Sequence, residues 1–432
     1  MPLRIVDEQH YAQLASSVLH LHQFALSDGK PTSGRPPLYP ALIAGLWGVA
    51  GVDDPQVVRG AQVVLGLAMV VLTYLLALRL FDRRTAIGAA AIVCVYPSLL
   101  FAGMLLLTEV LFTTLLLVFV LLYLAMRKRP AFPLALLTGA TLGCAALTRS
   151  VLWPFPFVFV PLVLMSTSGT IWRRVGVSAC CLLGFVLVVG PWSLRNTRIQ
   201  QTFTVIDTMG GMNLRMGNYE YTPEDRMWDA VNLTGDQNWS HALGQTRADA
   251  LTLTAGQKDK WAQRAAIDYM VAHPATTLRR SILKFADFWG LEREMIGALQ
   301  QGLYHPPAWF AILAIIAVVL SYPIVVLSAT VGMFREIPED RWMHVLIGAV
   351  VLFIVGVHTV VFGHSRYHLP LIPFLAVYAS AAWARESWRD VVRNPWVATG
   401  PALLMAILLA AWCHEVLFRD ADRIRVLLQA FA

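Results

Sequence analysis

Apolar positions in this chain fall into long runs separated by short polar connections. Runs at 60–80, 86–102, 110–126, 132–147, 151–165, 175–192, 308–334, 344–362, 369–384 and 397–413 read as membrane-spanning helices. Helices and closed barrels are the only structures that satisfy the backbone in lipid, and barrel-strand alternation is absent. The pattern predicts an all-α polytopic fold with about ten transmembrane helices. Run 151–165 is short and holds Pro154, Pro156 and Pro161. If it does not span, the parity of every later connection inverts.

Three stretches depart from that pattern. Residues 1–58 form a first loop. Asp7-Glu8-Gln9-His10-Tyr11 starts a short helix reaching Leu26, a polar turn covers 27–34, and Arg35-Pro36-Pro37-Leu38-Tyr39-Pro40 leads into an interfacial helix over 38–52. Residues 193–307 lie between two blocks of spans, 59–192 and 308–414, and 415–432 form a short tail. The first half of 193–307 has turn chemistry. The second half has helical spacing of Trp261, Ala265, Tyr269, Leu278, Ile282 and Phe285, broken at His273-Pro274 into two helices. It reads as a cap on one membrane face.

Composition supports the same class. Of 432 residues, 57% are hydrophobic and 14% charged, and the mean hydropathy is +0.59. A soluble protein carries nearer a quarter charged residues. The net charge of +7 does not point to nucleic acid, because the excess sits in alternate short connections. These hold Arg79, Arg83 and Arg84; Arg127, Lys128 and Arg129; Arg173 and Arg174; Arg335 and Arg341; Arg385, Arg389 and Arg393. The positive-inside rule makes that set cytoplasmic. The acidic pair, Glu109, Arg149, Arg366 and residues 193–307 are then outside. Cys94, Cys144, Cys180, Cys181 and Cys413 show no metal or disulfide spacing and read as small buried apolar residues.

Charge at membrane depth costs a few kcal/mol or more, so each isolated ionisable residue needs a reason. Asp7 and Glu8 offer a general base at the surface, or else complement a helix dipole. Lys30 and Arg35 face a phosphate, or else snorkel at a turn. Glu109 orients an acceptor or holds a metal, or else is an acid at a helix start. Arg149, Arg195 and Arg366 lie on the side where bases are rare. They suit a phosphate or pyrophosphate clamp, with lipid headgroups or Asp7 and Glu109 as the alternative partners. His20 with His22, and His364 with His368, permit a metal site, but supporting histidines fit the spacing better. No phosphate-cradling glycine loop is present, so no nucleotide is implied. No cofactor is required by the sequence, and a divalent metal is left open.

The acidic pair followed by Tyr11, the Pro-Pro-Leu-Tyr-Pro run, Leu107-Thr108-Glu109, Leu147-Thr148-Arg149, Pro191-Trp192 with Arg195-Asn196, and Arg366-Tyr367 ahead of Leu369-Pro370 and Pro373 together resemble the GT-C membrane glycosyltransferases. The resemblance is to the bacterial branch of the protein O-mannosyltransferases and the lipid A aminoarabinose transferase. It implies an inverting hexosyl- or pentosyltransferase at the outer face of the bacterial cytoplasmic membrane. The donor would be a polyprenyl-phosphate-linked sugar and the acceptor a hydroxyl on a lipid, glycan or protein. By position, Asp7 would be the catalytic base with Glu8 beside it. Arg149 and Arg366 would take the donor phosphate, Tyr39 and Tyr367 would line the site, and Glu109 would meet the acceptor. The resemblance also implies a full span ahead of the acidic pair, where this sequence has six residues. A transporter or flippase of lipid-linked sugars is the alternative from another class. It calls for internal repeats and mid-membrane polar breaks, whereas the ionisable residues here gather at one end.

Overall fold

The computed structural model describes all residues except 1, 2, 4, 27–28, 225–226, 386–394 and 422–432. Described residues are helical or irregular, and an isolated bridge between Ala25 and Pro31 is the one β contact among them. In chain order the α-helices are α1 (Val6–Leu21), α2 (Leu38–Ala50), α3 (Pro55–Leu80), α4 (Arg83–Val95), α5 (Pro97–Met104), α6 (Glu109–Lys128), α7 (Phe132–Thr148), α8 (Pro156–Ser166) and α9 (Ile171–Gln200). They continue with α10 (Gly210–Met216), α11 (His241–Thr246), α12 (Ala255–Ala272), α13 (Pro274–Phe288), α14 (Glu294–Gln300), α15 (Ala308–Arg335), α16 (Arg341–Val360), α17 (Ile372–Ala384) and α18 (Pro395–His414).

Among the described residues six helices are long and apolar enough to cross a membrane, or seven if the bent pair α4–α5 is one span. That count does not confirm the expectation of about ten, for local reasons. Pro97 lacks the N–H that would continue α4, and the chain bends by 48° there. The prolines of 151–165 leave a 3₁₀ turn, Ser150–Leu152, and the 11-residue α8. Run 369–384 begins as a 3₁₀ turn, Ser365–Leu371, and only then becomes the 13-residue α17. Helix α7 has 17 residues and falls just short of the length.

Helix starts follow their caps. Asp54 accepts from Gln56 N at 2.9 Å with Pro55 opening α3, and Asp82 accepts from Thr85 N at 2.9 Å to start α4. Small residues bring α7 against α9: a Cβ on Gly139 would lie 1.8 Å from the Cys181 carbonyl oxygen, and one on Gly184 2.1 Å from that of Leu136. Backbones this close need glycine on each helix.

The two ends of the bundle differ. At one end, Arg127 pairs with Asp340 at 2.9 Å, Arg173 donates to the Pro130 carbonyl at 3.0 Å, and Arg385 pairs with Glu336 at 3.0 Å. The same α6 that ends near Arg127 begins at Glu109. Its 20 residues separate these two by about 30 Å, the thickness of a bilayer's hydrocarbon core. Arg149 ends α7 at the Glu109 end.

The 193–307 segment packs on that second end as short helices, with α12 and α13 parted at His273-Pro274 as the spacing predicts. Asp259 accepts from Gly211 N at 2.7 Å and Met212 N at 3.0 Å, seating α10 on α12. Arg280 donates to the Tyr219 carbonyl at 2.8 Å. Lys284 donates to Asn218 Oδ1 at 2.7 Å and to the Val360 carbonyl at 2.9 Å.

Candidate active site

Asp7 and Glu8 are neighbours on α1, and a helix turns about 100° per residue, so they face different surroundings. Glu8 turns inward and is fully buried. It accepts from Leu106 N at 2.9 Å and reaches back to Ile5 N at 3.2 Å, closing the start of α1 and pinning it to the α5–α6 connection. The Arg59 guanidinium lies 3.9 Å away. Asp7 faces the cluster instead. Arg35 donates to it at 2.6 Å and Arg366 at 3.3 Å.

Glu109 is fully buried. It accepts from Arg366 Nε at 2.6 Å and lies 3.3 Å from Arg149. Its second oxygen is buried without a protein hydrogen-bond partner. The Arg149 guanidinium sits over Tyr367 at 5.4 Å and Phe112 at 5.6 Å from the ring centres, and Arg35 sits over Tyr11 at 5.6 Å. Tyr367 is stacked on His358 at 4.3 Å, which fixes its ring. His364 Nδ1 accepts from Arg366 N at 3.1 Å, capping the 3₁₀ turn and orienting Arg366.

Three guanidinium groups therefore surround the carboxylates of Asp7 and Glu109, with Glu294 also near Arg366. Burial alone would raise the Asp7 carboxyl, but Arg35 and Arg366 outweigh it and hold Asp7 below the usual aspartate range. Burial acts against the Arg366 charge, yet Glu109 and Asp7 prevail and raise its affinity for its proton.

Other expected site residues lie differently. Arg195 is not in the cluster. It donates to the Thr32 carbonyl at 3.0 Å and to Asn196 Oδ1 at 2.9 Å, between the rings of Trp192 and Phe24. That makes it a tie between α9 and the first loop. Tyr39 is buried with its hydroxyl donating to Gln62 at 2.7 Å, and its ring meets the edge of Tyr11 at 5.1 Å. Lys30 is exposed on the loop ahead of Arg35. Among the described residues no group of three or more His, Cys, Asp or Glu side chains is placed to hold a metal ion.

Beside the cluster opens a cleft of about 370 Å³ lined by Trp228, Arg293, Glu294, Tyr304, His364 and Ser365, among others. A smaller cavity of about 30 Å³ shares Glu294 and Ser365 with it and reaches Glu109 and Arg366. Burial raises the Glu294 carboxyl above its usual range, against the pull of Arg366. Burial, with Arg366 next, pushes His364 down to about 3, so it stays neutral.

Sequence reasoning missed one polar knot here. Glu292 is buried and accepts from Tyr96 at 2.9 Å and Ser98 at 2.5 Å, with His368 Nε2 at 3.1 Å. The other ring nitrogen of His368 faces the Phe288 carbonyl at 2.6 Å. A carbonyl cannot donate, so Nδ1 carries hydrogen.

Residues 34–194 match the dolichyl-phosphate-mannose-protein mannosyltransferase family, a stretch that holds Arg35, Glu109 and Arg149. The fold is similar to that of the Archaeoglobus fulgidus oligosaccharyltransferase in its apo form, with a TM-score of 0.50 and 11% identity over 94% of this chain and 51% of that one. The family match covers 161 of the 432 residues, and the structural likeness is one of fold. Two further structures align. The same archaeal enzyme, AglB, with an inhibitory peptide and a dolichol-phosphate gives a TM-score of 0.49 at 10% identity, covering 94% of this chain and 50% of that one. ArnT from Cupriavidus metallidurans bound to undecaprenyl phosphate gives 0.40 at 15% identity, covering 97% and 74%. The chain spans about half the length of the archaeal oligosaccharyltransferase it matches. No curated protein sequence matches it.

Proposed function

We propose that the chain is an inverting glycosyltransferase. It moves a sugar from a polyprenyl-phosphate donor to a hydroxyl acceptor, at the outer face of the cytoplasmic membrane. The carrying observation is Arg366 set between Asp7 and Glu109, with Arg35 and Arg149 on either flank. Three guanidinium groups gathered at one end of the bundle suit a phosphate diester.

The chemistry needs little more. The acceptor oxygen attacks the anomeric carbon and the bond from that carbon to the phosphate oxygen breaks. The electron pair leaves with polyprenyl phosphate, and the acceptor proton passes to Asp7. Fixed guanidinium groups aimed at the leaving phosphate lower the barrier by preorganisation. The resting Asp7 is a weak base because Arg35 and Arg366 stabilise its anion. An arriving phosphate draws on those same guanidinium groups, and Asp7 regains basicity as the donor binds. Glu109 holds Arg149 and Arg366 in place.

Reconstitution in vesicles with polyprenyl-phosphate-linked sugars tests this. The proposal expects polyprenyl phosphate to be released with sugar found on an acceptor. Passage of intact lipid-linked sugar across the bilayer without cleavage would mark a carrier instead.

A further inference from the structure

Helix α13 is amphipathic in the sense opposite to a soluble cap helix. Arg280, Lys284 and Asp287 are buried, while Leu278 and Ile282 are 66% and 62% exposed. Those two lie four residues apart and share one face, opposite the charged one. The buried charges are satisfied by protein. Arg280 donates to the Tyr219 carbonyl, Lys284 to Asn218 and the Val360 carbonyl, and Asp287 pairs with Arg419. A helix on an aqueous face would turn its charges to water and its leucine and isoleucine to protein.

The anchoring of α13 shows which solvent it meets. The carbonyl of Trp289, just past its end, accepts from Tyr322 at 2.8 Å and from Trp412 at 2.7 Å. Tyr322 lies midway along α15 and Trp412 lies in α18, helices of membrane-spanning length and composition. Lys284 bonds the last residue of α16, itself a candidate span. The end of α13 is thus fixed against the middle of α15 and the ends of α16 and α18. Ile282 is about 10 Å and Leu278 about 16 Å up the helix from Trp289, by its rise per residue. Helix α16, against which α13 packs, also exposes an apolar side chain, Leu352, at 72%. Arg279 flanks the apolar face of α13 and pairs with Glu224, as a cation at the headgroup level would.

We propose that α13 is a lipid-facing helix at the membrane boundary, with Leu278 and Ile282 against acyl chains and Arg280, Lys284 and Asp287 turned into the protein. The partner of this surface is the bilayer itself. Asp287 also lines the cleft beside Arg366, so lipid borders the wall of the cleft. The inference does not depend on the transferase reading.

The test uses the full chain in nanodiscs of phosphatidylethanolamine and phosphatidylglycerol, with a phospholipid carrying a photoactivatable diazirine on its acyl chain. Parallel samples receive hydroxyl radicals generated in the water. Leu352 on α16 is the lipid reference. Leu251, 96% exposed on the 193–307 segment, is the water reference. The proposal expects acyl-chain adducts at Leu278 and Ile282 at the level of Leu352, and radical oxidation at least fivefold below that of Leu251. Oxidation equal to Leu251 without acyl adducts would overturn it. So would labelling by neither reagent, which would mean that protein covers the face.

Discussion

Arg366 Nε donates to Glu109 Oε1 across 2.6 Å, although the two residues lie 257 positions apart in the chain. Glu109 opens α6, Arg366 sits in the 3₁₀ turn ahead of α17, and the bond ties two distant parts of the bundle at one end. The same guanidinium reaches Asp7 at 3.3 Å. One arginine therefore sets the spacing of both carboxylates.

Removing the Glu109 charge strands two guanidinium groups. Glu109→Ala should destabilise the folded chain by about 3–5 kcal/mol, the range for breaking a buried ion pair from one side. Glu109→Gln keeps an acceptor oxygen for Arg366 and should cost less. Thermal unfolding in detergent, with Tm compared across the three proteins, checks the order. Equal Tm values would mean that the pairs do not hold the site together.

Glu8 and Asp7 should separate by readout. Glu8→Ala leaves Leu106 N–H buried without its acceptor and should lower stability by about 1–3 kcal/mol. Turnover per folded molecule should change little. A large loss of turnover with unchanged Tm would place Glu8 in the chemistry.

The acid limb of activity follows from the Asp7 ion pairs. Its carboxyl is held below the usual aspartate value of 3.8 by Arg35 and Arg366 against the effect of burial. The folded value is depressed, so the stabilisation from these pairs is fully present above the unfolded value, about 3.9. It is lost as pH falls through the lower folded value. On the proposed role, kcat/KM should stay level down to about pH 4, since its acid limb reports the free enzyme. Arg35→Gln removes one of the two charges and should move the limb upward. A limb that does not move would mean Asp7 is not the group titrating.

Arg195 should behave as a tie. Arg195→Ala frees the Thr32 carbonyl and the faces of Trp192 and Phe24. It should lower Tm while leaving polyprenyl phosphate binding, read by native mass spectrometry, within about twofold. A larger loss of binding would return Arg195 to the phosphate site; this threshold is about 0.4 kcal/mol.

Much of the architecture is legible in the apolar runs, because lipid forces helices on any segment that crosses it. The count was not legible. Hydropathy does not register the missing N–H of Pro97, the prolines of 151–165 or the His364 cap that delays α17. Scarcity of charge singled out Asp7, Glu109, Arg149 and Arg366, and the fold brings these four within ion-pair distance of one another in a chain of contacts. The same rule grouped Arg195 with them, whereas its guanidinium meets carbonyls and rings, which it does as readily as phosphate. His368 stood out in the sequence, but its partner Glu292 did not, because a separation of 76 positions and an irregular loop hide their contact.

The most direct measurement is sugar transfer by Asp7→Asn in proteoliposomes supplied with a polyprenyl-phosphate-linked sugar. Asparagine keeps the size of the side chain and removes the proton acceptor. Transfer should fall by about 10²–10⁴-fold, the usual contribution of a general base, while Tm and polyprenyl phosphate binding stay near those of the unsubstituted chain. Transfer within about threefold of the unsubstituted rate, a difference of under 1 kcal/mol in the barrier, would contradict the assignment.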